Sequence, residues 1–223
     1  RRWRRRRWPQ RRRRRRLADQ LLTRPERVAV TPVSSTVERI TQSLYFVDKL
    51  EKRKLLEELL GDAKTLRRVL VFTATKHGAN RVVEHLEKAR IGAAAIHGNK
   101  SQGARERALA DFKAGQIRVL VATDIAARGI DIDEISHVIN FDLPEVPETY
   151  VHRIGRTARA GADGIAISFC EQEDLEYLEQ IEDLARKNTP LADNHEPPNW
   201  AHPYLRGEKA PKAISRQMRA KRE

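Results

Sequence analysis

The chain has 223 residues, of which 44 are Lys or Arg and 31 are Asp or Glu, so its formal net charge is +13. Its single cysteine rules out an internal disulfide and a cysteine-based zinc finger, and no apolar run approaches the roughly 18 residues that span a bilayer. These features exclude a disulfide-rich secreted scaffold and a membrane span. The lone cysteine is typical of a reducing compartment, so a cytoplasmic location is expected, and the charge indicates a polyanionic partner.

The charge is concentrated at the two ends of the chain. Residues 1–16 contain twelve arginines and no acid, and residues 206–223 carry +5, so residues 17–205 are slightly acidic, at about −4. The first segment, in which Trp3 and Trp8 stand among the arginines, has the composition of a disordered chain. Two interpretations of this segment stay open. It is either an arm that binds single-stranded nucleic acid, by pairing arginines with phosphates and stacking tryptophans on bases, or a non-native, incidental sequence.

Short apolar runs alternate with stretches of helical periodicity through the middle of the chain. The runs are continuous, as in parallel strands covered on both faces, and they predict strands at 69–74, 93–97, 119–122, 137–141 and 165–169. Apolar spacing near 3.6 predicts helices at about 48–60, 78–89, 102–114, 147–154 and 173–187. This alternation predicts an α/β fold, a three-layer sandwich with a mostly parallel sheet.

Ligands of such sheets bind at the carboxyl ends of the strands, and polar residues collect just after three of the predicted strands. Residues 123–131 offer a helix cap, a glycine turn and the carboxylate of Asp131, which is of the kind that accepts ribose hydroxyls. The alternative interpretation is an ordinary capped helix, as found in any α/β protein. Residues 97–105 combine Gly98 with Ser101, a candidate cap for a helix that presents Gln102 and Arg105 on one face.

The third segment, residues 150–161, carries three arginines at a spacing of three. Glu148 and Asp163 are the nearest acids in the sequence, so we expect an unpaired guanidinium cluster. Such a cluster suits phosphate oxygens and can stabilise a transferring phosphoryl group, whereas an exposed basic helix end is the alternative.

Four motifs carry a family resemblance: VLVFTATKHGAN, AIHGNKSQGARERALADFKAG, VLVATDIAARGIDI and YVHRIGRTARAG. In this order and spacing they resemble the second RecA-like domain of DEAD-box ATP-dependent RNA helicases, and among these the bacterial RhlE-type branch. The resemblance runs from about residue 17 to about residue 187. It implies the end of a first domain or a linker at 17–36 and the helicase C-terminal domain at 37–188. Composition assigns an Arg-rich disordered segment to 1–16 and an irregular basic tail to 189–223.

The resemblance also implies roles for individual residues. Arg156 and Arg159 would reach the γ-phosphate of ATP, with Arg159 as the arginine finger. Gly129 and Asp131 would contact the nucleotide, Asp131 through the ribose, and His152 and Arg153 would link the cleft to a partner domain. The RNA backbone would be held by Thr75, Gly98, Gln102, Arg105 and Thr123.

Two residues depart from the family pattern. Ala74 stands where this branch usually has an arginine, and Ala158 stands where many members have glycine. We expect the change at Ala158 to have little effect. The chain has no G-x-x-x-x-G-K-[ST] loop, D-E-A-D or SAT motif. ATP with Mg²⁺ is therefore expected to bind only jointly with a first RecA-like domain, and this chain is expected to hold no metal and to be catalytically incomplete alone. RNA, that first domain, and the ribosome or the RNA-degradation machinery are the expected partners, with no membrane; the alternative is an ATP-independent RNA-binding module.

Overall fold

The computed structural model describes residues 40–128, 135–158, 164–185, 188–193 and 195–207. These residues contain a six-stranded sheet in the order β1-β6-β5-β2-β4-β3, and every neighbouring pair is parallel. The strands are β1 (Ile40–Phe46), β2 (Val69–Phe72), β3 (Ala93–Ile96), β4 (Val119–Ala122), β5 (His137–Asn140) and β6 (Gly164–Cys170). The predicted α/β fold with a parallel sheet is confirmed, and the five predicted strands correspond to β2–β6.

Seven α-helices lie in the described part of the chain: α1 (Lys52–Gly61), α2 (Lys76–Lys88), α3 (Gln102–Lys113), α4 (Asp124–Ala127), α5 (Pro147–Ile154), α6 (Leu175–Ala185) and α7 (His202–Leu205). Short 3₁₀ turns precede α6 and α7, at Gln172–Asp174 and Asn199–Ala201. The predicted helices correspond to α1, α2, α3, α5 and α6. None of the helices in these ranges is long and apolar enough to cross a bilayer.

The helices cover both faces of the sheet, which explains the continuous apolar runs. On one face, α1 and α2 pack on β2 and β4, and side chains such as Leu56 and Val82 meet Val69 there. On the other face, α3 and α4 cover the alternate residues of β2 and β4, while α5 and α6 cover β1 and β6. Both faces are therefore buried, and polar side chains are left to the two edges where the strands begin and end.

The segment after α6 runs along β1, the strand at one side of the sheet. The backbone N–H of Leu44 donates to Pro190 O (2.9 Å), and the N–H of Ala192 donates to Leu44 O (2.9 Å). Further along, the Phe46 ring makes edge-to-face contacts with Trp200 and Tyr204. This part of the chain therefore adds a parallel bridge to the outer side of β1.

Candidate functional site

The carboxyl ends of β2, β3, β4 and β5 meet at one edge of the sheet, because all four strands are parallel neighbours. Two of the polar segments identified in the sequence begin there, with residues 97–101 after β3 and 123–124 after β4, and a third segment, residues 73–75, follows β2. A fourth segment, residues 140–142, stands at the end of β5. The fold thus gathers these segments along a single rim.

Arg153, in the last turn of α5, is a buried charge on this rim. Its side chain is 2% exposed, and its Nε and Nη2 atoms donate to the two carboxylate oxygens of Asp124 at 2.6 and 2.8 Å. Its Nη1 donates to the carbonyl oxygen of Asp142 (2.6 Å) and to Asn140 Oδ1 (3.3 Å). The guanidinium also lies 5.0 Å from the centre of the Phe72 ring. Each of its three nitrogens therefore donates within the protein.

This pairing corrects the prediction of an unpaired arginine cluster in residues 150–161. Arg153 has a bidentate partner, Asp124, which lies 29 residues earlier in the chain and approaches only because β4 and β5 both flank β2. The prediction considered acids that are neighbours in sequence, whereas parallel topology brings together residues that follow different strands.

The Arg153–Asp124 pair fixes α5 against α4, and a small cleft lies between the two helices. The cleft is lined by Phe72, Asp124, Ala127, Arg128, Thr149, His152, Arg153 and Arg156. Three of the predicted site residues, His152, Arg153 and Arg156, are thus brought to one place, with Arg128 as a further cation. Gly129, Asp131 and Arg159 lie outside the described residues.

The turn that follows α5 is anchored by a buried hydrogen bond to the segment that precedes β5. The buried hydroxyl of Thr157 donates to Ile135 O at 2.6 Å. Ala158 has a φ of 55°, in the left-handed region that costs a residue with a Cβ roughly 1–2 kcal/mol. Glycine, which the sequence resemblance leads us to expect at this position, would avoid that cost. Alanine in its place therefore affects the backbone more than the small change in side-chain size suggests.

The turn after β2 places Thr75 at the start of α2. The Thr75 hydroxyl accepts a hydrogen bond from the N–H of Gly78 (2.9 Å) and so caps the helix. The preceding N–H, of Ala74, donates to Asp142 Oδ2 (2.8 Å). Ala74 and Thr75 are both exposed, so the turn presents its outer surface to solvent.

The turn after β3 is organised by His97, which is buried. Its Nε2 is 2.9 Å from Asn80 Oδ1, and its Nδ1 accepts from the N–H of Asn99 (3.3 Å), which assigns the proton to Nε2. Burial lowers the pKa of His97, and Lys100, Lys76 and His77 lower it further. A neutral imidazole therefore holds this loop.

Beyond that loop, Ser101 caps α3 through the N–H of Ala104 (3.3 Å), as predicted. Arg105 donates to the side-chain oxygen of Gln102 (3.3 Å), so the two share a face as expected. A Cβ added to Gly98 would meet nothing within 4 Å in the described structure. The protein's own packing gives no reason for glycine there, whereas an incoming backbone would.

Thr123 is the fifth predicted RNA contact and lies at the N-terminus of α4. It is half-buried with an extended backbone, and its hydroxyl makes no capping bond among the described residues. The rim therefore has two parts. The half over β2, β4 and β3 carries Thr75, Gly98, Gln102, Arg105 and Thr123, and the half between α4 and α5 carries the cationic cleft.

Sequence reasoning missed the polar residues that support this rim. Four side chains make hydrogen bonds that support the segments of the site, and their spacing in the sequence does not group them: Lys52, Asn80, Asn140 and Asp142. Asp142 alone of these four could have been found from the sequence, because an acid directly after a predicted strand is expected at the carboxyl edge of the sheet.

The sequence profile of the helicase conserved C-terminal domain matches residues 51–161. The ATP-dependent RNA helicase RhlB of Pseudomonas syringae pv. tomato is 47% identical over 172 residues, which cover 77% of this chain and 43% of that protein. DEAD-box ATP-dependent RNA helicase 40 of Oryza sativa subsp. japonica is 43% identical over 75% of this chain and 21% of its own length. The chain thus spans less than half the length of these curated relatives.

Solved structures show the same similarity. The E. coli DEAD-box protein SrmB, in a crystal structure with the regulator of ribonuclease activity A, is 38% identical with a TM-score of 0.67. That match covers 72% of this chain and 98% of the SrmB chain. S. cerevisiae Dbp5 bound to RNA and ADP BeF3 has a TM-score of 0.69 and 30% identity, over 86% of this chain and 50% of that one.

Proposed function

The chain belongs to the DEAD-box family of RNA helicases, whose C-terminal helicase domain it contains, and from this membership we propose that its carboxyl edge serves ATP-dependent RNA unwinding. In this proposal one half of the rim holds the RNA backbone, and the cationic cleft reaches the phosphates of ATP. The reaction needs a first RecA-like domain to supply the phosphate loop and the carboxylates absent from this sequence.

The observation that carries the proposal is the bidentate pair between Arg153 and Asp124. Because this pair locks α5 onto α4, His152 and Arg156 line the same cleft without having to order themselves at the moment of binding. Arg153 is itself buried against Asp124, so we assign it to positioning the cleft. Arg156 and Arg159 are the proposed phosphate contacts, with Arg159 as the finger.

The donor chemistry of the cleft fits a nucleotide triphosphate. Guanidinium groups match phosphate oxygens in a planar, bidentate manner, and preorganised cations stabilise charge that develops on a transferring phosphoryl group. Bound ATP would supply that γ-phosphoryl group for transfer to water. Gly129 and Asp131 are proposed to hold the nucleotide, Asp131 through the ribose, and His152 to link the cleft to the partner domain.

Magnesium is proposed to enter with ATP and to be held by the first domain. Within the described ranges, no group of three or more His, Cys, Asp or Glu side chains is arranged to hold a metal ion. The cleft contributes cations, which complement phosphate but repel a divalent metal.

The RNA contacts are proposed to run along Thr75, Gly98, Gln102, Arg105 and Thr123. Hydroxyl, amide and guanidinium donors grip phosphates and sugars, so such contacts hold a strand without reading its sequence. Contacts to 2′-hydroxyls would let the site distinguish RNA from DNA. The open space beside Gly98 supports a close approach of the RNA backbone.

Four finer assignments complete the proposal. We place the helicase domain at residues 37–188 and the chain in the RhlE-type branch, on the motif sequences. We place the protein in the cytoplasm, on its single cysteine. SrmB, a relative of known structure, binds the regulator of ribonuclease activity A, which supports a partner in the RNA-degradation machinery.

The test is to supply the first domain of a related DEAD-box helicase, in trans or by fusion, and to measure ATP hydrolysis with and without RNA. We expect RNA-stimulated turnover, and we expect Arg156→Ala and Arg159→Ala to lower it by 10³-fold or more, by the order of magnitude of arginine fingers, about 10³–10⁵. ATP binding should largely survive both changes. Arg67→Ala is the matched control, because Arg67 is exposed and donates to Lys64 O, away from the cleft.

Two results would contradict parts of the proposal. Full turnover in both arginine variants would remove the phosphate-contact assignment. Absence of turnover in the complemented protein, together with RNA binding that does not respond to ATP, would instead favour an ATP-independent RNA-binding module.

A further inference from the structure

Lys52 is a buried ammonium that the proposed reaction does not use. It is 1% exposed at the start of α1, and its Nζ lies 2.8 Å from Asp142 Oδ1 and 2.7 Å from Glu171 Oε1. The Nζ also lies 4.9 Å from the centre of the Phe141 ring. A buried charge is costly unless its partners compensate it, so this placement requires both carboxylates.

The charge on Lys52 is maintained by those partners. Burial alone would lower its pKa, but Asp142, Glu171 and Asp174 outweigh burial, and the pKa of Lys52 is raised. Its carboxylate partners follow the ends of β5 and β6. Lys52 therefore ties the two strand ends together from beneath the rim.

Asp142 connects this buried cation to the RNA-facing turn. One of its carboxylate oxygens accepts from Lys52, and the other accepts from the N–H of Ala74 at 2.8 Å. Its own backbone N–H donates to Phe72 O (3.2 Å), at the end of β2. The carboxylate thus holds the middle of the turn between Phe72 and Thr75, which the Thr73 N–H also anchors through Ala122 O (3.0 Å).

We propose that Lys52 is a positioning residue for the RNA-facing turn Thr73–Thr75. It acts through Asp142 and contacts no ligand itself. By holding one carboxylate oxygen, it orients the other toward the Ala74 N–H, and this fixes the extended backbone from which Thr75 caps α2. The consequence for RNA rests on the proposed function, in which Thr75 contacts the RNA backbone.

The identity of residue 74 makes the turn dependent on this bond. Alanine has no long side chain with which to anchor the turn, and its methyl group is exposed. The backbone N–H is therefore the group by which residue 74 is held. Without Lys52, the Asp142 carboxylate would lose its buried counter-charge and turn toward solvent, releasing that N–H.

The test uses the full chain with two readouts. Amide hydrogen exchange at Ala74 reports the turn directly, and titration of a fluorescent single-stranded RNA of mixed sequence reports binding. The titration is done at salt high enough to suppress the counterion-driven contribution of the arginine-rich ends. The variants are Lys52→Met, Thr75→Ala and their double mutant, with Lys54→Met as control, since Lys54 is 71% exposed on the same helix.

We expect Lys52→Met to expose the Ala74 amide while Val71 in β2 stays protected, and to lower RNA affinity about tenfold, the equivalent of one hydrogen bond to a charged group. In the Thr75→Ala background the same change should lower affinity by less than about twofold, because the contact it positions is already absent. Lys54→Met should leave both readouts unchanged. If Lys52→Met does not fold, Asp142→Asn replaces it, since an amide cannot accept from both Lys52 and Ala74 through its two terminal atoms.

The outcomes separate this inference from the proposed function. Unchanged protection at Ala74, or losses of affinity that simply add in the double mutant, would overturn the positioning role of Lys52. An exposed Ala74 amide combined with full RNA affinity in Thr75→Ala would support the hold of Lys52 on the turn, and it would remove this turn from the RNA site.

Discussion

The two edges of the sheet both carry buried or half-buried arginines, but these arginines bind different groups. At the edge where the strands begin, Arg118 donates to the carbonyl oxygens of Leu66 (3.1 Å) and Leu60, and Arg68 donates to Lys113 O (3.0 Å). At the edge where they end, Arg153 donates to both oxygens of the Asp124 carboxylate.

The difference shows how the same residue type serves two purposes. Leu60 and Lys113 stand in the last turns of α1 and α3, where carbonyl oxygens lack helical partners and a cation is favoured. Those arginines complete helix ends. Arg153 instead joins two helices through an ion pair, and the cleft of the proposed site lies between them. Arg118 and Arg68 satisfy carbonyl oxygens at helix ends, whereas Arg153 adds an ion pair that fixes α5 against α4.

The largest effect is expected from breaking the pair at the carboxyl edge. Arg153→Met should lower the free energy of unfolding by about 3–5 kcal/mol, because it removes at once both bonds to the Asp124 carboxylate and those to Asn140 and the Asp142 carbonyl oxygen. Urea denaturation measures this change. Arg153→Lys keeps the charge without the bidentate fork and should give a smaller loss. A loss below about 1 kcal/mol in the Met variant would contradict the importance given to this pair.

A smaller effect is expected at the amino edge. Arg118→Met removes two hydrogen bonds to backbone carbonyls and should cost about 1–3 kcal/mol of unfolding free energy. RNA-stimulated ATP hydrolysis by the complemented protein should be unchanged below the melting transition, because the Arg118 guanidinium donates to Leu60 O and Leu66 O at the opposite edge from the proposed site. Reduced turnover in a folded Arg118→Met protein would break the distinction between the edges.

The smallest effect concerns one buried histidine at each edge. Burial lowers the pKa of both His97 and His137, against a partial opposing effect of Asp62 on His137. Below the ordinary pKa of 6.5 the unfolded chain binds protons that the folded protein does not, so stability should decline as the pH falls from 6.5 toward the lowered values. Each unit of lowering corresponds to about 1.4 kcal/mol.

Replacing either histidine separates the two contributions. His97→Gln and His137→Gln should each make the unfolding free energy less dependent on pH between 6.5 and about 5, measured by urea denaturation across that range. Protonation of His97 also removes the acceptor of the Asn99 N–H, and the neighbouring Lys100 and Lys76 oppose that protonation. An unaltered pH profile in the His97 variant would show that the neutral imidazole does not hold the loop.

The sequence predicts the buried part of the sheet well and its outer strand poorly. The runs that became β2 and β4 are apolar at every position because helices cover both faces. β1 was not predicted, since the polar residues 41–43 separate Ile40 from Leu44 and only alternate positions near its end are buried. Its burial depends on the segment around Leu191, which no local pattern reveals.

The sequence predicted that the site lies at the ends of the strands, but it did not predict which side chains contact one another there. The caps at Thr75 and Ser101 follow from local chemistry, and the structure confirms the cap at Ser101 that the sequence predicted. The Arg153–Asp124 and Lys52–Asp142 pairs depend on strand order, which sequence spacing does not encode. The Arg153–Asp124 pair also weakens the argument that an arginine cluster indicates phosphate binding. Arg153 is needed for packing, so its presence alone does not indicate phosphate chemistry.

The bridge between Leu44 and Leu191 bears on how separate copies of the protein behave toward one another. A strand at the side of a sheet offers a row of unsatisfied N–H and C=O groups, and another chain can extend the sheet by pairing with them. Here Pro190 and Ala192 already occupy both groups of Leu44. A shortened chain that ended before Pro190 would retain residues 51–161 and the cationic cleft, yet it would expose the side of β1 to intermolecular pairing and should aggregate more readily.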